Sequence, residues 1–185
     1  MGKQIFKYTK NYCEENIWHL CQHPDLEALD KKVLIISNET KNCPFWQQKS
    51  TADLGPVWWD YHVVLLALDS GIWSIYDFDS CLEFPISLVT YLHQTFLLEI
   101  FRQEHLPFFK CLPATTYINS FSSDRSHMKD TEGNWIFTPP SWPIIEHGQS
   151  HKLEMEEMMD FSLASSQNII HLDELKATYL IDGNE

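Results

Sequence analysis

A chain of 185 residues with 44% apolar and 14% aromatic side chains can fill one hydrophobic core, so a single domain over 1–185 is expected. Its 26 acids against 13 Lys and Arg give a formal charge of −13, which argues against nucleic acid or an anionic membrane as a partner and favours a cationic one. Five cysteines at irregular spacing, with no CxxC pair, argue against a disulfide framework or a structural zinc site and point to reduced thiols. Met1 to Lys10 lacks the apolar core of a signal peptide, and the longest apolar run, Val63 to Leu68, falls far short of the roughly 20 residues that span a bilayer. A cytoplasmic location, extending to the nucleus, is the expectation.

In chain order, Ile17, Trp18, Leu20 and Cys21 give the 3.6-residue apolar period of a helix from Cys13 to His23, with Glu14 and Glu15 suited to its first turn and Pro24 to its end. A short second helix is expected over Leu26 to Lys31. Val33 to Ser37 reads as a strand, and Cys43 to Trp46 as an edge piece. Val57 to Leu68 and Ile72 to Phe78 flank Asp69-Ser70-Gly71, which predicts an antiparallel hairpin. Ile86 to Phe101 carries helical spacing. Phe108 to Cys111 and Tyr117 are strand candidates. Ser120 to Pro143 lacks periodicity, and loops of that length usually carry function. Leu153 to Tyr179 reads as one or two short helices with an acidic face. A helix followed by a mostly antiparallel sheet with further helices is an α+β arrangement.

Chemistry concentrates at two places. A cysteine in the first turn of a helix meets unpaired N–H groups and the positive end of the dipole, which favour the reactive thiolate and could hold an oxyanion. In the hairpin, a register with an odd residue-number sum sets His62 on the same face as both Asp77 and Asp79. Either carboxylate could then accept the imidazole Nδ1–H and leave Nε2 to take the thiol proton. The register does not choose between the two acids. His19 and His23 have the i, i+4 spacing of metal ligands, but neither a zincin acid nor a third ligand accompanies them, so no metal site is expected.

The blocks Tyr12-Cys13-Glu14-Glu15-Asn16-Ile17-Trp18, Ile36-Ser37-Asn38-Glu39, Trp59-Asp60-Tyr61-His62-Val63, Tyr76-Asp77-Phe78-Asp79 and Ser123-Asp124-Arg125-Ser126-His127-Met128-Lys129, with Gly133-Asn134-Trp135, closely resemble the protein N-terminal glutamine amidohydrolases. They occur in the family's order over about residues 12 to 143. The resemblance implies a papain/transglutaminase-like cysteine hydrolase core, with the Cys-bearing helix packed on a mainly antiparallel sheet. It also implies deamidation of an N-terminal Gln to Glu with release of ammonia, a product suited to arginylation in the N-degron pathway. The family's triad falls on Cys13, His62 and Asp77, so the resemblance chooses Asp77 over Asp79. The sequence carries no Gly-rich phosphate loop, and no cofactor is expected. Asn11 stands where some relatives have another Cys, and the tail beyond about residue 145 is poorly matched.

The expected partners are peptides or proteins with a free N-terminal Gln, acted on by a monomer. Such a substrate presents an α-ammonium, for which Glu15, Asp60, Asp79 and Asp124 are the candidate acceptors. For Glu14 and Glu15, complementing the helix dipole weighs equally with substrate binding. Asp124, beside Arg125 in a polar loop, could equally be an ion-pair or turn residue, and His127 reads as a loop-structural residue. The rival readings are a related thiol hydrolase or transglutaminase acting on internal amides, and a non-catalytic adaptor that binds N-termini.

Overall fold

The computed structural model describes residues 5–51, 55–97, 102–146, 153, 155–162 and 169–180. In chain order the elements are α1 (Cys13–Cys21), β1 (Asp30–Ser37), β2 (Cys43–Phe45), β3 (Val57–Trp59), β4 (His62–Asp69), β5 (Ile72–Tyr76) and β6 (Ile86–Ser87). There follow α2 (Leu88–Thr95), β7 (Phe108–Pro113), α3 (Ala114–Ser120), α4 (Met155–Met158), β8 (Ile169–His171) and α5 (Leu172–Leu180). Six strands form an antiparallel sheet in the order β6-β5-β4-β1-β7-β8, and β2 pairs with β3 in a separate ribbon. This is a mixed α and β protein with a mainly antiparallel sheet, compatible with the α+β expectation.

The central strands β1 and β4 are apolar on both faces because both faces are covered. Val33, Ile35, Val63 and Leu65 pack with Ile17 and Leu20 of α1 and Tyr117 of α3. Leu34, Ile36, Val64 and Leu66 pack on the other side with Leu88, Tyr91 and Leu92 of α2 and Leu172 and Leu175 of α5. Each such Val, Leu or Ile contributes about 1.5–3 kcal/mol on burial, so the middle of the sheet is its best-anchored part. The start of β4, where His62 lies, belongs to that middle.

Several elements differ from the sequence reading. Val57 to Leu68 is two strands, broken at Asp60-Tyr61. There the Ser37 hydroxyl donates to the Asp60 carbonyl, and Asp60 Oδ1 accepts from the Tyr61 N–H at 2.9 Å. The expected helix over Leu26 to Lys31 is instead a 3₁₀ turn at Pro24–Leu26, with β1 beginning at Asp30. Helix α1 stops at Cys21, two residues short of His23. Ile86-Ser87 joins the sheet edge, and Ser87 caps α2 by accepting from the Thr90 N–H at 3.2 Å. That helix ends at Thr95; residues 98–101 of the expected segment lie outside the described residues. Tyr117 is helical rather than extended, and β8 is a strand the periodicity did not announce. Among the described residues, no helix is long and apolar enough to cross a membrane.

Candidate active site

Cys13 owes its position to the segment before it. Asn11 adopts φ 67°, and the Tyr12 N–H donates to the Thr9 carbonyl at 3.3 Å, turning the chain into α1. The Asn16 side chain then closes two 2.8 Å hydrogen bonds on Thr9, accepting from its N–H and donating to its carbonyl. Cys13 is the first residue of the helix, where N–H groups have no acceptor within the helix. Its side chain is 5% exposed, and α1 packs directly on β4.

The hairpin forms through Ser70 and Gly71, whose φ values of 51° and 82° are the left-handed pair a two-residue turn requires. Leu65 pairs with Tyr76, an odd-sum register. His62 and Asp77 meet at 2.9 Å, both side chains 1% exposed. The nitrogen that donates is Nε2, to Asp77 Oδ1, so the tautomer is the reverse of the one expected from sequence. The register fixes which face a ring occupies but not which edge it turns to the acid. Nδ1, buried and without a hydrogen-bond partner, is the nitrogen left for proton transfer.

Asp77 is held from several directions. Oδ1 also accepts from the Asp79 N–H at 2.9 Å, while Oδ2 accepts from Gln48 Nε2 at 3.2 Å and the Tyr91 hydroxyl at 2.9 Å. Burial alone would raise its pKa, but His62 and these donors hold the carboxyl far below its ordinary range. For His62, burial would lower the pKa, and the charge and hydrogen bond of Asp77 outweigh it to give a raised value. The indole of Trp59 stacks on the imidazole and donates to Gln48 Oε1 at 3.4 Å, while Phe45 meets the ring edge-on. Sequence reasoning reached none of Gln48, Tyr91 or Phe45; their only signal is that a buried His–Asp pair requires neighbours to satisfy it.

The thiol contradicts the expectation of an activated helix-start cysteine. Burial raises its pKa, and the adjacent carboxylates of Glu14 and Asp79 raise it further, against a lowering contribution from the Val63 N–H. The Cys13 thiol donates at 3.5 Å to Glu14 Oε2. The helix dipole is too weak to offset desolvation beside two acids.

The four candidate ammonium acceptors are placed very differently. Glu15 is fully buried and engaged by Arg125, whose Nε and second terminal nitrogen (Nη2) donate at 2.7 and 2.8 Å, and by the Trp142 indole at 2.6 Å. Asp60 is exposed at the strand break. Asp124 is exposed too, with Oδ1 accepting from the Ser126 N–H at 2.8 Å, rather than pairing with Arg125. Asp79 alone of the four stands beside the dyad: it is 5% exposed, Oδ1 accepts from the Tyr8 hydroxyl at 2.6 Å, and Oδ2 has no partner.

His127 lines a cleft of about 640 Å³ together with Asp124, Ser126 and Met155. Ligand atoms of His62, Asp77 and Asp79 lie within 4.8 Å of one another, a spacing that could also suit a metal ion. The hydrogen bonds that already occupy both oxygens of Asp77 mark the cluster instead as a charge network. His19 and His23 do not converge: His19 sits against Trp18 and Trp142, while His23 caps Asp25 and meets Phe6.

Residues 8–179 match the family model described as N-terminal glutamine amidase. The chain is similar to the protein N-terminal glutamine amidohydrolase of Bos taurus, 45% identical over 151 residues that cover 77% of this chain and 72% of that one. The protein of the same name from Danio rerio is 42% identical over 164 residues (82% and 78%), and that from Homo sapiens 43% over 153 residues (77% and 73%).

Proposed function

The chain belongs to the N-terminal glutamine amidase family, and on that footing we propose that it hydrolyses the side-chain amide of an N-terminal Gln in peptides and proteins. Cys13 is the nucleophile, His62 its base and acid, and Asp77 the group that orients and charges the imidazole. The observation that carries this is the buried His62–Asp77 pair, whose remaining ring nitrogen has no partner, set at the start of the strand on which the Cys-bearing helix packs.

Cys13 gives its proton to His62 Nδ1 as sulfur bonds to the amide carbon of the substrate. The tetrahedral oxyanion is held by the Cys13 N–H. Collapse breaks the C–N bond, and the imidazolium returns its proton to the departing nitrogen, releasing ammonia and leaving a γ-glutamyl thioester. Water then loses a proton to Nδ1, adds to the thioester, and expels the thiol, leaving Glu at the N-terminus. The helix on its antiparallel sheet is, in this reading, a papain/transglutaminase-like core. The enzyme acts as a cytoplasmic and nuclear monomer without a cofactor, and its product is fit for arginylation in the N-degron pathway. Asp79 adds negative charge beside the dyad and favours a cationic substrate.

The deciding experiment is mass spectrometry of a Gln-initiated peptide after incubation, with an acetyl-Gln peptide alongside. The expected result is the approximately one-dalton gain of deamidation on the first alone, without backbone cleavage, and none with Cys13→Ala. Equal conversion of both peptides would point instead to an amidase or transglutaminase of internal Gln. Binding without conversion would leave an adaptor.

A further inference from the structure

Glu14 is a charged side chain with no exposure, and its position beside the nucleophile is not explained by the chemistry above. Its Oε2 accepts from the Tyr61 hydroxyl at 3.1 Å and from the Cys13 thiol at 3.5 Å. Its backbone carbonyl is held by the Tyr117 hydroxyl at 3.1 Å, so α3 fixes this turn of α1. Oε1 has no hydrogen-bond partner. It faces His127 Nε2 at 3.5 Å, also without a hydrogen bond, and His127 is part of the cleft wall. A buried carboxylate oxygen left in this state is costly unless a ligand supplies the missing donor.

The substrate in the reading above supplies one. Only three carbons separate the α-nitrogen of Gln from the amide carbon that sulfur attacks, so the acceptor of the ammonium must lie within a few ångströms of Sγ. Asp60 and Asp124 are exposed on the surface, and Glu15 is tied to Arg125. Glu14 touches the sulfur. Its free Oε1 and the neighbouring His127 Nε2 offer two acceptors to one ammonium group.

Building on that reading, we propose that Glu14 receives the α-ammonium of the substrate and so couples recognition of a free N-terminus to the reactivity of Cys13. The S–H points to Glu14. An ammonium that takes Glu14 competes for that acceptor and neutralises the charge beside sulfur. The thiol proton is then redirected to His62 Nδ1, which is otherwise partnerless. The other titratable groups around the thiol and Glu14, namely Tyr61, Asp79, Tyr117 and His127, keep their places. A blocked N-terminus would thus fail twice, once in binding and once in leaving the nucleophile protonated.

The test separates this from the activity itself. Alkylation of Cys13 by iodoacetamide is followed at neutral pH in the parent protein with glycinamide, a free ammonium lacking a side chain, or with acetylglycinamide. Glycinamide is expected to accelerate alkylation and acetylglycinamide to leave it unchanged; no acceleration would overturn the coupling, whether or not ammonia is ever released from a peptide. In Glu14→Gln the acceleration should vanish. The same change should lower kcat/KM for a Gln-initiated peptide about ten- to hundredfold, with kcat falling and KM rising. Retention of the parent's discrimination by Glu14→Gln would overturn the assignment. Glu14→Asp, which keeps the charge, should restore part of the rate. A parent that deamidates no Gln-initiated peptide would instead sink the proposed function.

Discussion

The indole of Trp59 lies almost flat on the imidazole of His62, with ring centroids 4.9 Å apart and planes 16° from parallel. An imidazolium gains from a π-face beneath it, by about 0.5–2 kcal/mol. Replacing Trp59 by Leu should therefore lower the pKa of His62. NMR titration of the ring nitrogens reads this directly, and an unmoved pKa would show that Trp59 only fills space.

Asp77→Asn keeps the shape of the acceptor and removes its charge. In the proposed mechanism the imidazolium formed in both halves of the reaction would lose its counter-ion, and an amide can present N–H where Nε2–H requires an acceptor. We expect kcat to fall by about 10²–10⁴-fold. Ammonia release under saturating peptide gives the number, and circular dichroism checks that the variant is folded.

Glu15 and Arg125 form an ion pair whose side chains are 0% and 6% exposed. Removing one partner strands the other charge, so Arg125→Leu should cost about 3–5 kcal/mol in urea denaturation. The anchor joins α1 to the loop through Pro140, Trp142 and Pro143, whose carbonyls also accept from Arg125. At temperatures where the variant stays folded, KM for a Gln-initiated peptide should move little if Glu15 is structural. A large rise in KM alone would return it to the substrate.

Stability should respond to pH in two opposed ways. The folded protein holds the His62 proton more tightly than the unfolded chain, so this contribution is complete below the ordinary value of 6.5 and is lost as pH rises through the raised folded value. His19 is lowered by burial, and further by Lys7, to about 4, so the folded state binds fewer protons there and stability climbs from about pH 4 to 6.5. Urea midpoints across pH should show the climb lost in His19→Gln and the decline above 6.5 lost in His62→Gln.

The hairpin was legible because its turn is local: Ser70-Gly71 sets the register, and the register puts His62 on the face that Asp77 and Asp79 share. The helix of Cys13 was legible for the same reason, through Ile17, Leu20 and Pro24. What escaped depends on contacts distant in sequence. Arg125 reaches Glu15 across 110 positions, and Tyr91 and Gln48 reach Asp77 from other elements. Tyr117 favours strands by propensity, yet tertiary packing on α1 makes it helical. For Glu14 the sequence weighed dipole complementarity evenly with substrate binding, and its burial beside sulfur is legible only in the fold.

Asn16 clasps Thr9 from inside the helix that follows it, and the stretch so clasped delivers the Tyr8 hydroxyl to Asp79. Cys13, the proposed nucleophile, thus hangs from a strap made of residues 8–12 that precede it. Severing that strap, by a protease cutting near Lys10 or a fusion partner pulling on the chain, would bare Asp79 and unseat the leading turn of α1. The twice-covered sheet behind it would stand. Catalysis could be dismantled from one end while the fold survives.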